Sequence, residues 1–92
     1  MQTKGWQIFV TGRVQGVGFR FFTQQQATKL HLNGSVRNLA DGRVEIIVSG
    51  EQRPLQQFTQ WLEQGGPRSA KIEHLEYLTW QGDMPHGFHL RY

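Results

Sequence analysis

A glycine-rich stretch near the start of the chain guides the interpretation of the rest, and it reads Gly12-Arg13-Val14-Gln15-Gly16-Val17-Gly18-Phe19-Arg20. It follows an alternating apolar run and precedes a segment with helical spacing, so we predict a tight turn from a strand into a helix. Arg20 then lies where the helix begins, although a helix N-terminus favours acidic residues. An anion held between Arg20 and the amides of the turn would resolve this conflict, and we expect a phosphate group.

Apolar periodicity and turn residues on both sides of this stretch predict seven elements. They are a strand in which Trp6, Ile8 and Val10 share a face, a helix over about 20–32, strands over 35–40 and 43–49, a helix that starts near Pro54, and strands over 71–80 and 87–92. The first helix is expected to bury Phe19, Phe22, Ala27 and Leu30 and to end at Asn33-Gly34, and the second to bury Leu55, Phe58 and Leu62 and to end at Gly65-Gly66-Pro67. Asp41-Gly42 predicts a tight two-residue hairpin.

The predicted order is β-α-β-β-α-β with a short strand added at the end. This order is typical of the α+β class and the ferredoxin-like, split βαβ fold, with two helices on one face of a mainly antiparallel sheet. We expect residues 1–92 to form a single domain, because this length supports one core. The fold hosts many unrelated activities, so function has to be argued from the site.

Charge is distributed unevenly along the chain. Residues 1–40 contain no Asp or Glu, and the first acidic residue is Asp41, although the formal net charge is only +3. A basic half of this kind attracts negatively charged partners, and nucleic acid, anionic lipid and a small phosphorylated metabolite all fit.

The chain has no cysteine, which excludes disulfides, a thiolate nucleophile and zinc sites that need sulfur. No apolar run is long enough to span a membrane and no signal peptide is evident, so we expect a cytoplasmic protein.

The glycine-rich loop with Arg20 and the residue Asn38 are the two candidate functional features, and each also has a purely structural interpretation. Gly16 and Gly18 let the backbone approach a ligand, and Arg20 offers a planar fork for two phosphate oxygens. The same pattern is compatible with a simple strand-to-helix turn that carries an exposed arginine. Asn38 shares strand parity with Val36 and should face the helices, where it is either catalytic or an asparagine that bonds the backbone of its own turn. The four histidines show no metal-binding spacing.

The stretch from Gly12 to Arg20 resembles the signature of the acylphosphatase family. Gly34-Ser35-Val36-Arg37-Asn38 followed by Asp41-Gly42 resembles the second motif of that family, and the resemblance continues through Gly65-Gly66-Pro67 to Phe88-His89-Leu90-Arg91-Tyr92. It therefore covers essentially the whole chain. The resemblance implies a small single-domain enzyme that hydrolyses acyl phosphates to a carboxylate and inorganic phosphate, without a metal or another cofactor.

The resemblance also implies roles for individual residues. Arg20 matches the catalytic arginine of the family and Asn38 its water-positioning asparagine. The phosphate-binding loop, which acts through backbone amides, matches Gln15, Gly16, Val17, Gly18 and Phe19. We expect a monomer that takes an acyl phosphate as substrate and inorganic phosphate or sulfate as a competitive ligand, and that binds neither nucleic acid nor membranes.

Two alternatives are compatible with the sequence. A basic ferredoxin-like domain could bind RNA, although the RNP-type pattern of basic and aromatic residues is absent. A non-catalytic phosphate-binding or regulatory domain of the same family is the second alternative. Hydrolysis of benzoyl phosphate separates the enzyme from both.

Overall fold

The computed structural model describes residues 3–92, which form five strands and two helices. In chain order the elements are β1 (Thr3–Arg13), α1 (Phe19–Lys29), β2 (Asn33–Asn38), β3 (Val44–Glu51), α2 (Gln52–Glu63), β4 (Lys71–Thr79) and β5 (Phe88–Arg91). Met1 and Gln2, which belong to the segment in which we expected no signal peptide, lie outside the described residues. Neither helix of the described chain is long and apolar enough to cross a membrane.

The strands form one sheet in the order β4-β1-β3-β2-β5. The first four strands pair antiparallel, and β5 adds to β2 in parallel. One face of the sheet contributes the core side chains Ile8, Val10, Val36, Val44, Ile46 and Val48, which form a single buried cluster with residues of both helices. The predicted ferredoxin-like α+β fold is therefore confirmed.

The buried face of α1 differs from the prediction. Phe19, Thr23 and Ala27 are buried, whereas Phe22 is 43% exposed. Successive residues of an α-helix are rotated by about 100°, because 3.6 residues make a turn. Residues spaced by four therefore stay within a narrow stripe, and Phe22 lies well to the side of the stripe that Phe19 and Ala27 define.

The C-terminus of α1 also differs from the prediction, because His31 and not Gly34 adopts the left-handed conformation, with a φ of 59°. The N–H of Leu32 donates to the carbonyl of Ala27, and the N–H of His31 to that of Thr28. These two bonds form a Schellman motif. Gly34 lies inside β2, where a Cβ atom would collide with the carbonyl of Ile47 on β3.

The connection between β2 and β3 is longer than the predicted two-residue turn. The N–H of Leu39 donates to the carbonyl of Arg43 at 2.8 Å, so residues 40–42 form a three-residue loop. Gly42 occupies its left-handed position, with a φ of 96°. The backbone N–H of Arg43, and then its side chain, bond the Asp41 carboxylate and lower its pKa below the usual value. Asp41 therefore supports the turn.

The second helix matches its prediction. Leu55, Phe58 and Leu62 are its buried residues, and Pro54 lies in the first turn. The N–H groups of Gly65 and Gly66 donate to carbonyls of the last turn, and both glycines have positive φ. The Gly65-Gly66-Pro67 ending thus turns the chain sharply toward β4.

Candidate active site

A small cleft opens where the loop between β1 and α1 meets the ends of β2 and β5. Its volume is about 160 Å³, room for roughly five water molecules at about 30 Å³ each. The cleft brings Arg20 together with Asn38, two positions that are 18 residues apart in the sequence. The lining residues are Val14, Gly16, Gly18, Phe19, Arg20, Phe21, Asn38, Leu90 and Tyr92.

The loop presents backbone amides without protein partners. Gly16 and Gly18 have φ values of 75° and 78°, which residues with a side chain rarely adopt. Gly18 is also the N-cap of α1, and no side chain caps the helix. Within the described residues, no backbone N–H of residues 15–19 donates a hydrogen bond. Unpaired amides at an uncapped helix N-terminus are an environment that favours an anion.

Two side chains attach this loop to its surroundings. The Gln15 amide donates hydrogen bonds of 2.8 Å to the carbonyls of Leu39 and Arg43, on both sides of the β2–β3 turn. The Ser69 hydroxyl donates to the carbonyl of Val17 at 2.6 Å. The loop is therefore fastened both to the hairpin that carries Asn38 and to the segment that precedes β4.

Arg20 lies in the first turn of α1, as predicted, and the end of the chain orients it. Its Nη1 donates to the carbonyl of Arg91 at 2.8 Å. The ring of Tyr92 lies 4.8 Å from the guanidinium carbon, within cation–π range. A guanidinium has five N–H donors, so these contacts leave donors for an anion in the cleft.

Asn38 is the last residue of β2 and faces the helix layer, because it pairs with Val44 on the core face of β3. Its Oδ1 is buried and accepts no hydrogen bond within the described structure. The turn beside it is supported by Gln15 and Asp41 instead. A buried acceptor without a partner is costly, which agrees better with a ligand or water at Oδ1 than with a role in supporting the turn.

The acidic residues lie away from the cleft, since none of its lining residues is Asp or Glu. Glu45 is buried on the opposite face of the sheet, where Gln7 and Arg37 bond its carboxylate at 2.7 and 2.6 Å. Arg37 therefore forms an ion pair with Glu45 on that face. No cluster of three or more potential metal ligands occurs in residues 3–92.

Sequence reasoning did not find three contributors to the site: the side chains of Gln15, Ser69 and Tyr92. Gln15 was expected to act through its amide alone, and its side-chain partners lie 24 and 28 residues away. Ser69 has no sequence signal. The alternation of Phe88, Leu90 and Tyr92 places Tyr92 on the face that Phe88 buries, and this signal could have identified it.

Comparisons with known proteins assign this chain to a family. The Acylphosphatase family model matches residues 6–90. The chain is 43% identical over 89 residues to an acylphosphatase of Aeromonas salmonicida (strain A449). The aligned region covers 97% of this chain and 98% of that protein. It is similar to the crystal structure of acylphosphatase from Bacillus subtilis (TM-score 0.87, 38% identity, 99% and 100% of the two chains). It is also similar to an acylphosphatase structure from Coxiella burnetii (TM-score 0.88, 31% identity, 97% and 93%).

Proposed function

Because the chain belongs to the acylphosphatase family and hydrolyses acyl phosphates, we propose that its loop and Arg20 bind the phosphate group while Asn38 positions the attacking water. The loop comprises residues 15–19. The enzymatic activity rules out the alternative of a non-catalytic domain, and the expectation that the chain does not bind RNA stays a prediction from the sequence.

Phosphate binding is supported by the unpaired amides of the loop and by the donors that remain on Arg20. The amides and the N-terminus of α1 stabilise negative charge on the phosphate oxygens. The guanidinium supplies two parallel donors, which match two oxygens of one phosphate. The contacts of Arg91 and Tyr92 hold this fork in place before the substrate arrives, so little reorganisation accompanies the reaction.

The proposed position of the attacking water is supported by the unpartnered Oδ1 of Asn38. An amide oxygen accepts a hydrogen bond from the water and directs a lone pair of the water at phosphorus. Because Gln15 joins the loop to both ends of the β2–β3 turn, the phosphate and the water are held by parts of the chain that cannot separate freely. Such positioning accounts for much of the catalysis of phosphoryl transfer.

The reaction needs no acid or base from the protein. The water oxygen forms a bond to phosphorus, and the bond from phosphorus to the acyl oxygen breaks with its electron pair on the carboxylate. The conjugate acid of this leaving group has a pKa of about 4, so the carboxylate departs without a proton. A phosphate oxygen takes the proton of the water, which agrees with a cleft lined by no carboxylate.

The observation that carries this assignment is the buried, unpartnered Asn38 Oδ1 in the same cleft as Arg20 and the loop. Hydrolysis of benzoyl phosphate in ¹⁸O-labelled water tests the direct attack of water on phosphorus that this assignment requires. We expect one labelled oxygen in the phosphate and none in the benzoate, because water attacks phosphorus. Label in the benzoate would mean attack at the carbonyl and would contradict the mechanism.

Four further expectations complete the proposal. We expect a chelator to leave the rate unchanged, because the loop and Arg20 supply the charge stabilisation. We expect phosphate or sulfate to inhibit competitively. A monomeric state and a cytoplasmic location stay predictions from the sequence. Sedimentation of the purified protein tests the monomeric state.

A further inference from the structure

A second and larger cavity lies between α1, α2 and the loop that joins α2 to β4. Its volume is about 610 Å³, within the usual range of about 300–1,000 Å³ for small-molecule sites. We call it the interhelical groove. None of the residues that line this groove lines the phosphate cleft.

The groove has an apolar, partly aromatic wall. Phe22 of α1 is 43% exposed here, and Trp61 of α2 is half-buried. Pro67 also lines the groove and is buried. Flat aromatic surfaces of this kind favour a planar apolar molecule, because aromatic rings gain from offset or edge contacts as well as from burial.

The rim of the groove carries positive charge. Lys29 of α1 and Arg68 of the following loop line it together with glutamines of α1, and none of its lining residues is acidic. Neither cation forms an ion pair with a residue that the structure describes. The groove is therefore complementary in charge to an anion, and its aromatic wall favours an apolar body.

Two residues of the groove also touch the phosphate-binding loop. Ser69 donates its hydroxyl to the carbonyl of Val17 at 2.6 Å. The ring of Phe22 lies against Gly18, where an added Cβ would be 3.3 Å away. A ligand in the groove would therefore lie against side chains that support the loop.

We propose that the interhelical groove is a second binding site, distinct from the phosphate cleft, for a small anion with an aromatic body, such as an aromatic carboxylate or phosphate. The aromatic body packs between Phe22 and Trp61, and the anionic group lies near Lys29 or Arg68. This site goes beyond the hydrolysis of acyl phosphates, and it does not depend on the roles proposed for Arg20 and Asn38.

Titration with 1-naphthoate, followed by NMR, tests the proposal. The experiment is run with saturating inorganic phosphate, which keeps the probe out of the phosphate cleft, and at fixed ionic strength. We expect the indole N–H signal of Trp61 to shift with saturation, while those of Trp6 and Trp80 stay in place. The neutral analogue 1-naphthamide should bind at least about three-fold more weakly, because it lacks the charge that the rim attracts.

Surface variants locate the anion. At least one of the variants Lys29→Gln and Arg68→Gln should weaken 1-naphthoate binding by about three-fold. This is the size expected for a partly exposed ion pair. Arg53→Gln is the matched control, because it removes the same charge from an exposed position of α2 outside the groove. The control should bind the probe as the unmodified protein does.

Four results would each overturn the proposal. The first is an unmoved Trp61 signal, and the second is equal affinity for the acid and its amide. The third is a loss in Arg53→Gln that equals the loss in the groove variants, since attraction to the net charge would then explain binding. A Trp61 signal that moves on dilution of the protein without probe would instead assign the groove to a second copy of the chain, and would also overturn it.

Discussion

At the scale of single residues, the structure confirms that Arg20 lies at the N-terminus of a helix, where a positive charge is unfavourable. The residue lies in the first turn of α1, where no acid is present and where Gly18 supplies no side-chain cap. Its guanidinium is held by the Arg91 carbonyl and the Tyr92 ring. A fork fixed in this way is suited to one anion geometry, which a lysine cannot reproduce.

Arg20→Lys should lower kcat/KM at least about a hundred-fold, in line with about 3 kcal/mol for a group that stabilises charge in a transition state. The variant keeps the charge but loses the paired donors. Steady-state hydrolysis of benzoyl phosphate measures the effect, and Arg53→Lys, on exposed α2, is the control. Near-normal turnover by Arg20→Lys would remove this arginine from the phosphate site.

Asn38→Ala should lower kcat strongly while the phosphate Ki stays within a few-fold, because the water contact matters mainly in the transition state. The melting temperature should stay the same or rise, since the substitution removes a buried acceptor that has no protein partner. An asparagine that only supported the turn would show the opposite pattern, a lower melting temperature with unchanged kcat.

At the scale of elements, the site depends on how the loop and the hairpin are joined. The Gln15 amide bonds a carbonyl on each side of the β2–β3 turn. The loop holds the phosphate and the hairpin holds the water in our proposal, so Gln15 sets the distance between them. The side chain of Gln15 can thus position the two elements without itself touching the substrate.

Gln15→Leu should reduce kcat/KM by roughly ten-fold, about 1.4 kcal/mol, the size of one or two lost hydrogen bonds. The loss should fall on kcat more than on the phosphate Ki, since the amides of the loop remain. Gln56→Leu, at an exposed position of α2, is the control. A lower melting temperature with unchanged kcat would show that Gln15 supports only the fold.

The contact between β4 and α2 predicts a pH dependence of stability. Burial, and then the charge of Glu63, raise the pKa of the Tyr77 hydroxyl above its usual value of 10.0. The folded state therefore favours the neutral hydroxyl, and stability present below pH 10 is lost as the pH rises. Between pH 9 and 11 the melting temperature should fall more steeply for the unmodified protein than for Tyr77→Phe; equal slopes would contradict this.

At the scale of the whole molecule, phosphate should stabilise the fold by binding the native state alone. At a phosphate concentration of 100 times Kd the gain is about 2.7 kcal/mol. For a domain of this size about 1 kcal/mol shifts Tm by roughly 4–8 °C, so a rise of about 10–20 °C is expected. Chloride at equal ionic strength is the control. In an NMR titration with phosphate, amide shifts confined to residues outside 13–20 would contradict the proposal that phosphate binds at the loop and Arg20.

The sequence alone determined the order of the elements, the helix-facing position of Asn38 and the face of the sheet that forms the core. These features depend on local periodicity, since alternation in strands such as Trp6, Ile8 and Val10 assigns each residue to a face. It also indicated where the phosphate loop lies, because glycines and an arginine at a helix start conflict with local preferences unless a ligand is present.

The tertiary structure decided the features that depend on residues far apart in the chain. The pairing of β5 with β2 brings Arg91 and Tyr92 to Arg20, and the fold brings Gln15 to the turn that follows Asn38. It also decided that Thr23 is buried and Phe22 exposed, because the orientation of α1 is set by what packs against it. Local sequence carries no record of such contacts, since their energy arises only once distant segments meet.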